Sequence, residues 1–497
     1  MSLVLGIDVG TQSVKAVIYD ADQRLITASA ARELSLSQRS DGSAEQHPDQ
    51  WVDALADVTK QLRDNHHLKS IEAVAVSAQQ HGFVAIDKHN HVLAPAKLWC
   101  DTSTVSQAEE IMARMGGADR CIDIAGNPIL VGYTASKILH LKQTQPDRYS
   151  LIDSILLPHD YINVVLCGER SMECGDASGT GLLDIKTRRW SQPMLDALDP
   201  DRDIAALLPA PRQGLGQIGA VTRDAAARFG LPEGIPVATG GGDNMMAAIG
   251  TGATSQGRLT MSLGTSGTVF AYSDAPVIDS KGEIAAFCSS TGGWMPLMCT
   301  MNCTVTTELL RGLFSTDIDH MESVIASAPA GANGVTVIPF FGGERTPNLP
   351  DGHGSIMGLT NANFSQSNLL RAGAEGASFA LRYGVDRLKE LGIKASEITL
   401  TGGGSGSASW RQMIADICDV PTRVCTHVEG AAFGAALQAL QLLDPGSSIE
   451  DIAHGHIRFD GTKGAHPNMD NVARYQDYYQ RYQDYVSALR PLYKPQE

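Results

Sequence analysis

The residues that could do chemistry begin at Asp8. It lies in Gly6-Ile7-Asp8-Val9-Gly10-Thr11-Gln12-Ser13, between the apolar runs Leu3-Val4-Leu5 and Val14–Tyr19. Apolar runs separated by Gly and Ser predict two strands joined by a tight turn. Gly10 lets the backbone turn where a side chain would obstruct it. Thr11, Gln12 and Ser13 then offer hydroxyls, an amide and backbone N–H groups to one small region, and Asp8 faces it from the strand end. Donors beside one carboxylate suit a phosphate chain carrying a divalent metal. A plain hairpin whose Asp bonds its own turn explains the octamer alone equally well. A second copy tips the balance: Arg258–Leu263, Gly264-Thr265-Ser266-Gly267-Thr268 and Val269–Tyr272 repeat the plan, with Gly264-Thr265 standing where Gly10-Thr11 stands. Two similar domains, each presenting a phosphate-gripping turn to a cleft between them, are expected.

Three further groups complete the candidate chemistry. Gly402-Gly403-Gly404 follows the apolar run Ile398–Thr401 and would let an adenine or ribose lie directly on the backbone. Asp243 follows Gly240-Gly241-Gly242, with room for a substrate to come close. It could take the proton of a hydroxyl that attacks a γ-phosphoryl group. Asp101 and Asp176 compete for that role, and a helix N-cap is the structural alternative for Asp243. Gln79-Gln80-His81 ends a predicted first-half strand, where two amides and an imidazole can pair the hydroxyls of a polyol. Asp101 can accept two sugar hydroxyls. Cys299 and Cys303 lack further metal ligands at the usual spacing.

The elements that must position these groups are legible from periodicity. A third strand is expected over 23–31, a helix from Pro48 through Leu62 with Pro and Asp in its first turn, and a buried strand over 71–76. In the second half, strands are expected over 335–341 and 398–401. A long helix spans Leu370 to Leu388, and a small-faced helix runs from Gly430 to Leu443. A terminal helix carries Tyr475, Tyr479 and Tyr482. A chain of 497 residues exceeds one ordinary core. The expected division is 1–255 for acceptor and base, 256–445 for the nucleotide, and 446–497 for a tail packing back on the core. The net charge of −16 disfavours nucleic acid and anionic membrane as partners. Neither a secretory signal nor a membrane-spanning run is expected. Nine scattered cysteines point to reduced thiols in the cytoplasm.

With these motifs in place the sequence resembles the FGGY carbohydrate kinases of the actin-like ATPase superfamily. The resemblance rests on Gly6–Ser13, Gln79–Gly82, Leu98–Asp101, Leu157–Tyr161, Gly240–Asn244, Ser262–Gly267, Gly343–Pro347 and Gly402–Gly404. It implies an α/β fold of two actin-like (ribonuclease H-like) domains with a duplicated core. It also implies phosphotransfer from ATP with Mg²⁺. It makes Asp243 the general base and puts Asp8 near the metal. Sugar contacts fall on Gln80, His81, Asp101 and Asn244. Phosphate contacts fall on Thr11, Gln12, Thr265 and Ser266, and adenosine contacts on Gly402, Gly403 and Gly404.

The Gln-His-Gly segment favours a ketopentose acceptor, D-xylulose, over glycerol or gluconate. Another ketose, polyol or sugar acid is the enzymatic alternative, and an actin-like chaperone or sugar-sensing regulator the non-enzymatic one. The chain departs from the family at Gln80, where many bacterial members have Met, at Gly406, often Arg or Lys, and at His140, where Trp is common. A homodimer is compatible with the resemblance, although the sequence marks no interface. Glu344-Arg345-Thr346-Pro347 is a family marker to which the sequence assigns no physical role.

Overall fold

A computed structural model describes residues 2–65, 68–427 and 429–493. The chain packs as two units, neither of them continuous in sequence. The first comprises 1–254, 273–295 and 429–457; the second comprises 255–272, 296–428 and 458–497.

The first unit is built on a seven-stranded sheet. Strands β1 (Leu3–Val9), β2 (Ser13–Asp20) and β3 (Leu25–Glu33) form an antiparallel meander. β4 (Ile71–Ala78) lies parallel to β1 on its other side, followed by β6 (Pro236–Ala238) and β5 (Gln217–Ala220). The short β7 (Gly241–Gly242) also pairs with β4. β4 is buried at every position but Glu72, which explains the continuous apolar run Ala73–Val76 in place of an alternating one. Helix α1 (Pro48–Asn65) packs on β2 and β3, presenting Trp51, Leu55, Val58 and Leu62 to the core. Helices α2 (Thr134–Thr144), α3 (Pro158–Cys167) and α4 (Cys174–Ala177) belong to the same unit, and α5 (Asp243–Thr251) continues directly from β7.

The second unit repeats the central motif. β8 (Arg258–Leu263) pairs antiparallel with β9 (Gly267–Ala271), which pairs antiparallel with β10 (Leu297–Thr300). On the other side of β8 lies parallel β11 (Glu397–Thr401), then β12 (Thr422–Val424). The meander, with a parallel strand beside its first member, therefore occurs twice. Helix α6 (Thr304–Leu313), long α7 (Gln366–Glu390) and α8 (Ala408–Cys418) cover this sheet's unit. The apolar run 335–341 yields only a three-residue strand, Thr336–Ile338, before the chain turns through Gly342-Gly343.

After β12 the chain returns to the first unit as α9 (Gly430–Leu443). Its small residues serve close packing. A side chain on Gly6 of β1 would overlap the Ala432 carbonyl, and one on Gly434 would overlap the Met246 carbonyl of α5. Backbones thus meet where only glycine fits. The linear division at 255 and 445 differs from this packing. α9 completes the first unit because its apolar face is buried on β1, β4 and α5. The segment 273–295 likewise leaves the second meander between β9 and β10 and packs in the first unit. Terminal helix α10 (Met469–Leu489) belongs to the second unit, with Tyr475, Tyr479 and Tyr482 buried.

Candidate active site

The parallel pairing of β1 and β4 sets Asp8 beside Ser77, whose hydroxyl donates to Asp8 Oδ1 at 2.8 Å. Burial raises the Asp8 carboxyl to about 6, against the lowering effects of the Ser77 hydrogen bond and the Lys15 charge. Lys15, opposite Asp8 on β2, is itself held by Glu429 at 3.1 Å. The turn beyond Asp8 is braced rather than loose. The Thr11 hydroxyl donates to Gln79 Oε1 (2.9 Å) and accepts from the Trp99 indole (2.9 Å). Gln46 donates to the Thr11 carbonyl (2.8 Å) and accepts from Gln79 (3.1 Å) and Trp51 (2.9 Å). Gln79 and Trp99 therefore shape the turn, while Gln12 stands exposed at its tip.

Asp243 opens α5 as its first helical residue; the N-cap is Gly242. Its Oδ1 accepts from the Asn244 backbone N–H (2.7 Å) and side chain (3.0 Å). Asn244 Nδ2 also donates to Gln80 Oε1 (2.9 Å), so Asp243, Asn244 and Gln80 form one chain of contacts. Gln80 is 4% exposed, and among the described residues its Nε2 has no hydrogen-bond partner. A buried amide donor left unpaired is costly, and beside a carboxylate it marks a place for a ligand oxygen. Burial, reinforced by the charge of Asp8, raises the Asp243 carboxyl to about 7.

The two competing acids are already engaged. Asp101 is fully buried; it accepts from Lys97 (3.0 Å), Ala44 N–H (2.9 Å), and Ser103 N–H and hydroxyl (3.0 and 2.7 Å). Burial pushes its carboxyl up, but those bonds outweigh it and hold it below the usual range. Its oxygens fix the 97–103 loop. Asp176 is held by His159 Nδ1 at 2.6 Å, with Asp160 2.9 Å from the other ring nitrogen. Burial alone would lower the His159 imidazole; the two carboxylates reverse this and hold it well above its ordinary value. Asp243 has no cation partner among the described residues.

His81 adopts a left-handed backbone (φ 65°), a strained state for a residue with a Cβ. Two donors hold it there: fully buried Lys137 reaches the His81 carbonyl at 2.7 Å and Thr134 at 3.2 Å. Its ring packs against Tyr133 and Phe287, with centroids 5.0 and 5.9 Å away. Lys137, driven down to about 7 by burial, was invisible as a site residue in the sequence. An isolated lysine in an otherwise apolar helical face, Ala135-Ser136-Lys137-Ile138-Leu139, was the available signal.

In the second unit, Ser262 occupies the place corresponding to Asp8, and Thr265 stands exposed at the turn with Ser266 beside it. The Thr265 carbonyl accepts from Cys303 N–H (3.0 Å) and Val305 N–H (3.4 Å), at the start of α6. Glu344 holds that start in place. Its carboxylate accepts from Met301 N–H (2.6 Å), Arg345 N–H (2.8 Å) and Asn302 Nδ2 (3.2 Å), and burial raises it to about 7. Glu344 thereby gives the Glu-Arg-Thr-Pro stretch a physical role: it ties the loop before α6 to residues 343–349. Gly402 (φ 77°) lies against β8, where a Cβ would stand 2.7 Å from the Leu263 carbonyl. A Cβ on Gly404 would meet Leu263 and Trp410, whereas Gly403 and Gly406 face open space. Arg411 braces the loop through the carbonyls of Ser405 and Gly406, both at 2.9 Å.

Mg²⁺ can be weighed against the donors present. No group of three or more His, Cys, Asp or Glu among the described residues could hold a metal. A cation that takes one carboxylate and otherwise keeps water and phosphate oxygens needs no such group. Asp8, with one oxygen engaged by Ser77, fits that pattern.

Comparison with known proteins shows the family. Residues 3–250 match the N-terminal domain of the FGGY family of carbohydrate kinases, and residues 259–442 match its C-terminal domain. The chain is 40% identical over 493 residues to a xylulose kinase of Haemophilus influenzae, covering 98% of this chain and 100% of that one. It is 32% identical over 502 residues to a xylulose kinase of Escherichia coli, covering 99% and 100%. Among solved structures it is similar to a xyloylose kinase from Brucella ovis, with a TM-score of 0.92, 30% identity, and 99% and 100% of the two chains covered.

Proposed function

Because this chain belongs to the FGGY family of carbohydrate kinases, we propose that it transfers the γ-phosphoryl group of ATP to D-xylulose, giving D-xylulose 5-phosphate, with Asp243 as general base. The observation that carries the acceptor assignment is the linked trio Asp243–Asn244–Gln80, in which, among the described residues, Gln80 Nε2 has no hydrogen-bond partner and Asp243 no cation. Gln80 donates to a sugar oxygen, and Asn244 holds both Gln80 and Asp243 in place. His81, held in its strained backbone by Lys137, presents its ring at the same strand end. Asp243 Oδ1 is anchored by Asn244, leaving Oδ2 to take the proton of the attacking hydroxyl.

Donor binding is assigned to the second unit. Backbone and hydroxyl groups of Thr265 and Ser266 meet phosphate, and the adenosine lies over the open face at Gly403, with Gly402 and Gly404 shaping the bend. Thr11 and Gln12 contribute backbone donors at the first turn. Asp8 is the residue that would hold Mg²⁺, which when bound neutralises phosphate charge. Asp101 and Asp176 stay out of the transfer: each is already held by its own cation, and Asp101 supports the acceptor side by fixing its loop.

The reading extends to a cytoplasmic location and to a homodimer. All nine cysteines are free, which suits a reducing compartment. Among the described residues no helix is long and apolar enough to cross a membrane.

The test is a coupled ADP-release assay across ketoses, polyols and sugar acids, run on the wild type and on Asp243→Ala. D-xylulose is expected to give the highest kcat/KM, and Asp243→Ala to lower kcat by about a hundredfold or more while remaining folded. With Asp243 at about 7, the wild-type rate should rise with pH through that value as the carboxylate loses its proton. A folded Asp243→Ala with near-normal kcat would remove the base. ADP release without any sugar would point instead to an actin-like ATPase of another function.

A further inference from the structure

The glycine loop that delivers Asp243 is held from an unexpected direction. Gln438 lies on α9, 198 residues further along the chain than Gly240, and is fully buried. Its Oε1 accepts from the Gly240 backbone N–H at 2.7 Å, and its Nε2 donates to the Gly240 carbonyl at 3.3 Å. One side-chain amide thus grips both polar groups of a single residue, as a neighbouring strand would. Gly240 has a left-handed backbone (φ 75°), and a Cβ there would stand 2.5 Å from the Val76 carbonyl. The residue before it is fixed separately: Asn163 donates to the Thr239 carbonyl (3.0 Å), and Thr239 N–H and hydroxyl both donate to the Gly216 carbonyl (2.8 Å). The residues after it pair with β4, Gly241 opposite Ser77 and Gly242 opposite Ala78. Gly240 is the joint between these two anchored stretches, and Gln438 locks it.

The helix that carries Gln438 is also a fixed reference for Asp8. α9 meets β1 backbone to backbone at Gly6, two residues before Asp8. It meets α5 in the same way at Gly434 against Met246, three residues after Asp243. Close-packed backbone contacts of this kind leave little room for sliding. A single rigid helix therefore spans the strand that carries one acid and the helix that carries the other.

We infer that Gln438 is a positioning residue for phosphotransfer: by locking the Gly240 peptide it sets where Asp243 stands relative to Asp8. This rests on the assignment of Asp243 as base. Gln438 touches neither sugar nor ATP in this role, so its loss should act on kcat and leave the KM for ATP alone. Small displacements of a reacting group are expensive in rate, about a hundredfold for a shift on the order of 1 Å.

The experiment uses the full chain with Gln438→Met, which keeps length and shape but removes both hydrogen bonds, and Gln438→Glu, which keeps an oxygen facing the Gly240 N–H. Two quantities are read: steady-state kinetics on the best sugar found for the wild type, and hydrogen exchange of the Gly240 amide. Gln438→Met should lower kcat by about tenfold or more, with KM for ATP within about twofold, and should speed Gly240 exchange while the amides of α1 and α7 keep their rates. Gln438→Glu should lose less of both.

A folded Gln438→Met with wild-type kcat would overturn the proposal even if Gly240 exchanged faster, because the contact would then be structural only. Unchanged Gly240 exchange would overturn it directly. If Gln438→Met does not fold, Gln438→Glu decides: a kcat loss with faster Gly240 exchange supports the lock, and wild-type values of both overturn it. A wild-type chain inert on every sugar would defeat the kinase reading instead, and the exchange measurement would still judge whether Gln438 locks Gly240.

Discussion

The two hairpin turns share a backbone plan and differ in charge. β1–β2 and β8–β9 each end in Gly-Thr, and each first strand has a parallel neighbour, with Ser77 beside Asp8 and Thr401 beside Ser262. Where the first turn carries a carboxylate, the second carries a hydroxyl. Their supports also differ. The first turn is tied by side chains, Gln79 and Trp99 on the Thr11 hydroxyl and Gln46 on its carbonyl. The second is tied by backbone N–H groups at the start of α6, themselves held by Glu344. In the proposed reaction the first turn, with its carboxylate, is the one to meet a metal-bearing phosphate, and the second, with its hydroxyl, the one to meet phosphate alone.

The sharpest way to break that contrast is to equalise the charge. Asp8→Asn should lower kcat by about a hundredfold or more at any Mg²⁺ concentration, whereas Ser262→Ala should change it by less than about fivefold. Equal losses in steady-state assays would show that the two turns do the same work. Next in size is Glu344→Ala, which leaves the Met301 and Arg345 N–H groups without their acceptor, at a cost of about 1–3 kcal/mol for each such group. It should raise KM for ATP by about tenfold and leave KM for sugar near normal; a rise confined to the sugar would detach the second turn from the donor. Smallest is Gly403→Val. Nothing lies within 4 Å of a Cβ there, so Tm should hold while KM for ATP rises by about threefold to tenfold through contact with the nucleotide. Unchanged ATP binding would move the adenosine elsewhere.

Much of this was legible in the sequence because it is local. The Gly-Thr turns, the helix beginning at Pro48 and the glycine run before Asp243 announce themselves within a dozen residues. What distinguishes the three candidate acids is not local. Asp101 and Asp176 are bonded to Lys97 and His159, and the His159 pairing joins residues that are 17 apart in the chain. The four donors that converge on Asp101 come from Ala44, Lys97 and Ser103, and its own tetrapeptide does not announce them. The run 335–341 reads as a longer strand than forms, because Pro339 removes a ladder donor and the chain bends at Gly342. Gln438 left only a faint trace: a polar residue in the apolar run Ala435-Ala436-Leu437-Gln438-Ala439-Leu440. Its partner on the far side of the sequence could not be named from that run.

The return of residues 429–457 to the first unit bears on how the chain comes to be folded. During synthesis, Gly6 and Gly250 emerge long before the helix that must lie against them, and most of the second unit, 296–427 included, is made in the interval. The amino-terminal sheet must wait with one face uncovered until the ribosome has passed Ile457. A nascent chain halted near residue 255 would therefore expose the apolar surface of β1 and β4, making it a substrate for holding chaperones rather than a free-standing half.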